Sequence, residues 1–159
     1  MKKFELTSEF VTFLGKKLFR IKALISFGNV EEGELGGYVE KEENLSNDGN
    51  AWVSGDAMVS GNARVCGNAR VYGNAEVYGN ARVYGDADYA TVHGFGSEYR
   101  TTTFFRTKAG EIGVRCGCFY GTLEEFRAKI KETHGETKTA KEYLMVADLM
   151  EFRFSKEEA

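Results

Sequence analysis

From Gly49 to Ala90 apolar and polar positions recur every six residues: GNAWVS, GDAMVS, GNARVC, GNARVY, GNAEVY, GNARVY and GDADYA follow one another in strict register. Ala and the residue two places later (Val, or Tyr89 in the last unit) point to one side of an extended segment, and the residue between them points to the other. Gly followed by Asn or Asp then turns the chain, since both types accept positive φ. Each unit is therefore a very short strand and a corner. One unit cannot bury its own Val, so successive coils have to stack, and the stack supplies both the core and the hydrogen bonds.

Upstream the pattern weakens. Leu35 and Val39 read as an aliphatic and a small position, Leu45 and Ala51 extend the small column, and Lys41 and Asn47 interrupt the aliphatic one. An irregular first coil is expected. Earlier still, residues 10–14 and 18–24 carry β-type alternation around a Gly15–Lys16 turn. After the repeat, residues 101–107 and 112–119 read as strands joined through Lys108 to Glu111, a hairpin. Thr122-Leu-Glu-Glu125 is a capping box that predicts a helix to about Thr133, ended by His134-Gly135. Thr139-Ala-Lys-Glu142 repeats the box and predicts a second helix to about Glu151, with Phe152 and Phe154 as a last strand. The expected division is 1–34 as an N-terminal β cap, 35–92 as the repeat, and 93–159 as an α+β module of a hairpin plus two helices.

The pairs Val53/Ala57, Val59/Ala63, Val65/Ala69, Val71/Ala75, Val77/Ala81 and Val83/Ala87 resemble the columns of hexapeptide-repeat proteins. In that family three hexads make one triangular turn of a left-handed parallel β-helix. The GNARV wording is also similar to repeat proteins common in bacteriophage and prophage genomes. The resemblance implies a mainly β fold: a short left-handed parallel β-helix of about three triangular coils, with an N-terminal β-hairpin cap and a small C-terminal α+β module.

Composition narrows the setting. Of 159 residues 42% are hydrophobic and 28% charged, which suits a folded domain rather than a disordered chain. A net charge of −3 argues against bulk-charge attraction to nucleic acid or membrane. No apolar run approaches the roughly 20 residues that span a bilayer, and Glu5 and Glu9 interrupt the signal-peptide-like start of Lys2 and Lys3. A cytoplasmic protein is expected, in the host cytoplasm if phage-encoded. Residues 1–30 hold six basic and two acidic residues, whereas residues 31–48 hold seven acidic residues and one lysine. That split reads as a solvated rim around a cap.

Candidate chemistry is thin. His93, just past the repeat, is the one plausible base for the acyl transfer that many hexapeptide-repeat enzymes perform, and a polar loop histidine is the plainer reading. Three cysteines do not make a disulfide framework. Cys116-Gly-Cys118, with Cys66, His93 and His134 elsewhere, lacks the second pair a metal site needs, so free thiols and no metal or other cofactor are expected. The outward positions say more. Trp52, Arg64, Arg70 and Arg82 lie between Ala and Val, and Tyr72, Tyr78 and Tyr84 follow Val on three different faces. Tyr beside Arg is the composition of a recognition surface, and equally of a solvated prism.

The expected function is therefore a non-enzymatic binding protein, homo-oligomeric and phage-encoded, inhibiting a host defence system by sequestering a protein or a nucleotide signal. A small hexapeptide-type acyltransferase and a structural virion- or filament-associated protein are the alternatives.

Overall fold

The computed structural model describes residues 2–96, 100–117 and 119–155, without the Ala87 side chain. Cys118 lies outside the described residues, as does the Ala87 half of its Val/Ala pair. The protein is mainly β, with a repeat solenoid between a β-hairpin and a helix-backed sheet.

Strands β1 (Phe4–Phe13) and β2 (Lys16–Ala23) form the N-terminal hairpin, and Leu14 and Gly15 turn it with φ of 52° and 77°. Two successive positive φ values match the right-handed twist of the strands, so the turn sits one residue earlier than expected. β2 pairs antiparallel with β3 (Leu35–Val39), and β3 pairs parallel with the repeat. The cap is thus hydrogen-bonded into one face of the solenoid.

Six hexads each supply a two-residue strand: β4 (Trp52–Val53), β5 (Met58–Val59), β6 (Arg64–Val65), β7 (Arg70–Val71), β8 (Glu76–Val77) and β9 (Arg82–Val83). Strands three apart in sequence pair in parallel, Val53 with Val71, Val59 with Val77 and Val65 with Val83. Three faces result: β4–β7 is face one, β3–β5–β8 face two and β6–β9 face three. The six Val side chains are fully buried and the Ala side chains from Ala51 to Ala81 nearly so, as the alternation requires. The glycines opening these hexads have φ between 63° and 71°. At Gly67 a Cβ would stand 2.4 Å from the Tyr84 carbonyl oxygen of the next coil, so glycine is required there twice over.

The upstream columns are phased differently from the expectation. Tyr38 pairs with Met58 and Leu45 bridges Val65, an offset of twenty positions instead of eighteen. The two extra residues lie between Leu45 and Asn50, where the offset falls from twenty to eighteen, and the coil before them carries a 3₁₀ turn at Glu42–Asn44. Val39 and Leu45 therefore occupy the aliphatic column, not the small one, and Leu35 is 53% exposed. The seventh hexad also departs. Asp86–Asp88 form a 3₁₀ turn and Tyr89 opens β10, so Asp88 does not stack under Arg70 but pairs with Arg106 at 3.0 Å.

β10 (Tyr89–Phe95), β11 (Arg100–Arg106), β12 (Ile112–Cys116) and β13 (Phe119–Thr122) form an antiparallel meander, of which the expected hairpin is the middle pair. α1 (Leu123–His134) and α2 (Lys138–Phe154) cover one side. Thr122 and Glu125 form the expected reciprocal box at 3.2 and 2.9 Å. α2 is capped by Thr137, not Thr139, and runs through Phe154, so Phe152 and Phe154 are its last turn and not a strand. Along β11 the two faces separate by alternation: Phe104 packs with the helices and Phe105 with the solenoid core. Among the described residues no helix is long and apolar enough to cross a membrane.

Candidate binding surface

In a parallel ladder alternate residues turn both N–H and C=O toward the same neighbour, so bonds run both ways between coils, among them those from the Trp52 amide to Ala69 and from the Arg64 amide to Ala81. Each end coil leaves outward-turned backbone groups without a coil to pair with, and side chains from the flanking elements satisfy several of them. Lys3 donates from Nζ to the Ala51 carbonyl at 2.7 Å and the Gly49 carbonyl at 3.4 Å. Asn44 donates from Nδ2 to the Ala63 and Gly61 carbonyls at 2.9 and 3.2 Å, while its Oδ1 accepts from the Lys41 and Glu40 amides. At the other rim Asp86 Oδ1 accepts from the Arg70 amide, Thr103 Oγ1 from the Glu76 amide, and Asp88 Oδ2 from the Tyr84 and Gly85 amides. Burial lowers the Lys3 ammonium to about 8, with Asp48 opposing.

With both rims closed, the open surface is the outside of the prism. Face three carries the strongest charge. The ladder register sets Arg64 over Arg82, and Asn62 and Asn80 stand at the corner before each. Lys41 enters from the 3₁₀ turn of the first coil and Lys108 from the loop between β11 and β12. Arg82 Nη1 is fixed by the Asn62 and Ala81 carbonyls at 2.8 and 3.0 Å, and Lys41 Nζ by Asn62 Oδ1 at 3.1 Å. The result is a groove of about 520 Å³ with four cations, Lys41, Arg64, Arg82 and Lys108, against one acid, Glu43. Held guanidinium and ammonium groups of one sign in one groove attract carboxylates or phosphates. Cys66, on the same face, is no thiolate, because burial pushes its thiol up even though Arg64 and Arg82 pull the other way.

The remaining residues of the expected surface disperse. Trp52 is 3% exposed, with its ring edge-on to Phe27 at 5.4 Å, so it belongs to the core and not to the surface. The outward alternation was right for its strand, but the cap covers that face. Arg70 lies directly under Trp52 on face one, half-buried. Tyr72 and Tyr84 are exposed. Tyr78 is engaged internally, 4.9 Å from the Tyr120 ring and 5.3 Å from the Arg115 guanidinium, so the three tyrosines form no continuous girdle.

Arg115 is the residue that sequence reasoning missed. It is buried between the rings of Tyr78 and Phe13, and its Nε stands 3.9 Å from Glu76 Oε2, too far for a hydrogen bond. Burial pushes the Glu76 carboxyl up and Arg115 offsets part of that. This pair ties the hairpin, face two and the C-terminal sheet together. No local pattern announces it, because it depends on how the sheet docks.

His93 is exposed on β10, and its Nδ1 is 2.8 Å from Thr101 Oγ1. His134 stacks on Tyr143 at the end of α1. Cys66 and Cys116 are free thiols, and among the described residues no three His, Cys, Asp or Glu groups gather as a metal site. No curated protein matches the chain. Residues 51–66, 63–77 and 75–87 match the family model of the YdcK beta-solenoid repeat, and by that similarity this part of the chain is a beta-solenoid.

Proposed function

We propose that the protein is a non-enzymatic binding protein whose solenoid, wound left-handed as the hexapeptide resemblance implies, presents face three to an acidic segment of a partner protein. The convergence of Lys41, Arg64, Arg82 and Lys108 on one groove carries this reading. A nucleotide fits the groove less well, because no aromatic ring lines it and a base needs a stacking platform. An acyltransferase reading has less support: His93 donates or accepts at Thr101 on the C-terminal sheet, away from the solenoid face where the cations gather. The GNARV resemblance supports a phage-encoded protein acting on a host partner in the host cytoplasm.

Binding of a fluorescein-labelled oligo-glutamate peptide tests the reading. Affinity should fall steeply between about 50 and 200 mM salt, and Arg82→Glu should weaken it at least about tenfold at the lower salt. Absence of binding at about 50 mM salt, or binding that Arg82→Glu leaves intact, removes the proposal. Tighter binding of ATP than of the peptide at the same site replaces the partner class with a nucleotide.

A further inference from the structure

α2 buries Ala140, Tyr143, Val146, Ala147, Met150 and Phe154 against the module's core, as an amphipathic helix should. Its opposite side is not polar. Met145, Leu149 and Phe152 are 70%, 57% and 78% exposed. Spacings of four and three residues put them in one line along the helix. A row of three large apolar side chains on the surface of a small domain marks a contact surface rather than scatter.

The charges beside the row say what covers it. Each residue advances about 100° around the axis, so Glu142 and Arg153 flank the row on one side, near Leu149, while Lys141 and Asp148 flank it on the other and Glu151 lies farther round. Turn a second copy of the helix over by a two-fold axis passing between Met145 and Leu149. Met145 of one copy then meets Leu149 of the other, and Glu142 meets Arg153. The Glu142 flank pairs opposite charges and the operation repeats every contact twice, while on the other flank Asp148 meets its own mate with its charge already held by Arg127. Within the chain Lys141, Glu142 and Arg153 make no ion pair among the described residues, whereas Asp148 and Glu151 are already held by Arg127 at 2.8 and 2.9 Å. The axis also falls at the middle of Lys138–Phe154, so the pairing uses the whole helix in both copies.

We infer that α2 is a self-association surface, pairing antiparallel with α2 of a second copy of this chain through Met145, Leu149 and Phe152. This is independent of the anion-binding reading of face three, and it gives the expected homo-oligomer a contact surface on the C-terminal module. One helix pair buries an area at the low end for specific complexes, so dissociation on the order of 10 µM follows.

Sedimentation equilibrium of the full chain from about 1 to 500 µM is the test. The wild type should pass from monomer to dimer. Leu149→Asp should weaken the dimer more than about tenfold with an unchanged melting temperature, since Leu149 supports nothing inside the fold. Glu142→Arg and Arg153→Glu should each weaken it by about fivefold or more, and the double variant should restore it. A wild type monomeric throughout overturns the inference, as does a double variant no better than either single one, or a Leu149→Asp protein that unfolds. Oligo-glutamate binding by Leu149→Asp should match the wild type, which separates failure here from failure at face three.

Discussion

At the N-terminal rim of the solenoid, Lys3 and Asn44 turn an ammonium and an amide toward carbonyl oxygens; at the C-terminal rim, Asp86, Asp88 and Thr103 turn oxygens toward amides. The difference lies in the side chains each flank supplies, since the outward-turned groups of an end coil include both amides and carbonyls, and Tyr89 donates to the Arg70 carbonyl at the C-terminal rim. The two closures also differ in depth. Asn44 is fully buried and spends all its hydrogen-bonding capacity on four backbone groups, while the Asp86 contact to Arg70 is exposed. The donor end is built into the core. The acceptor end is laid over it.

The largest effect should come from what the two ends share. Val71→Asp places an unpaired carboxylate in a core with no partner for it, and should cost about 4 kcal/mol or more, a large part of a domain's usual stability. Arg70→Ala, one residue away and outward-facing, should stay within about 0.5 kcal/mol. Urea denaturation of the two proteins reads this directly, and equal midpoints would refute the inward and outward assignment.

The rims themselves differ by less. Asn44→Ala strands two buried carbonyls and two amides, for about 3 kcal/mol, whereas Asp86→Ala frees one exposed amide, for about 1 kcal/mol. If thermal unfolding ranks them the other way, the donor end is not the deeper one. The smallest effect is a pH dependence confined to the donor end. The Lys3 amine sits at about 8 when folded and at the ordinary 10.5 when unfolded. Between those values unfolding takes up a proton, so rising pH should stabilise the protein through this window, and below about 8 the cost of burying the charge is constant. Lys3→Met should lack that rise when the two proteins are compared by urea denaturation at pH 7.5 to 10. An identical pH profile would mean that the amine is not buried as described.

The sequence makes the repeat legible because each hexad states its own geometry: Ala-x-Val sets the faces and Gly-Asn sets the corner. The same rule misplaces Val39 and Leu45, because an insertion of two residues changes the phase and leaves no mark except Lys41 and Asn47 in the wrong column. Of the face-three groove, Arg64 and Arg82 follow from period alone. Lys41 and Lys108 do not, since one sits in a coil whose phase the insertion changes and the other arrives by docking of a distant sheet. Trp52 fails for a related reason: alternation gives the direction of a side chain, and only tertiary packing says whether solvent lies there. Lys3, which reads as the start of a basic N-terminal run, is one of the most buried side chains in the protein.

Tandem coils of near-identical wording can slip against one another by a whole turn during folding and lose little energy in doing so. The two residues inserted between Leu45 and Asn50 remove that degeneracy, since they fit only where an offset of twenty gives way to one of eighteen. They act as the zero mark on a ruler. Because Lys3 and Asn44 bond no residue of the stack after Ala63 and Asp86, Asp88 and Thr103 bond none before Arg70, inserting one further set of three hexads after Val65 should lengthen the prism while leaving the mark and both closures in place.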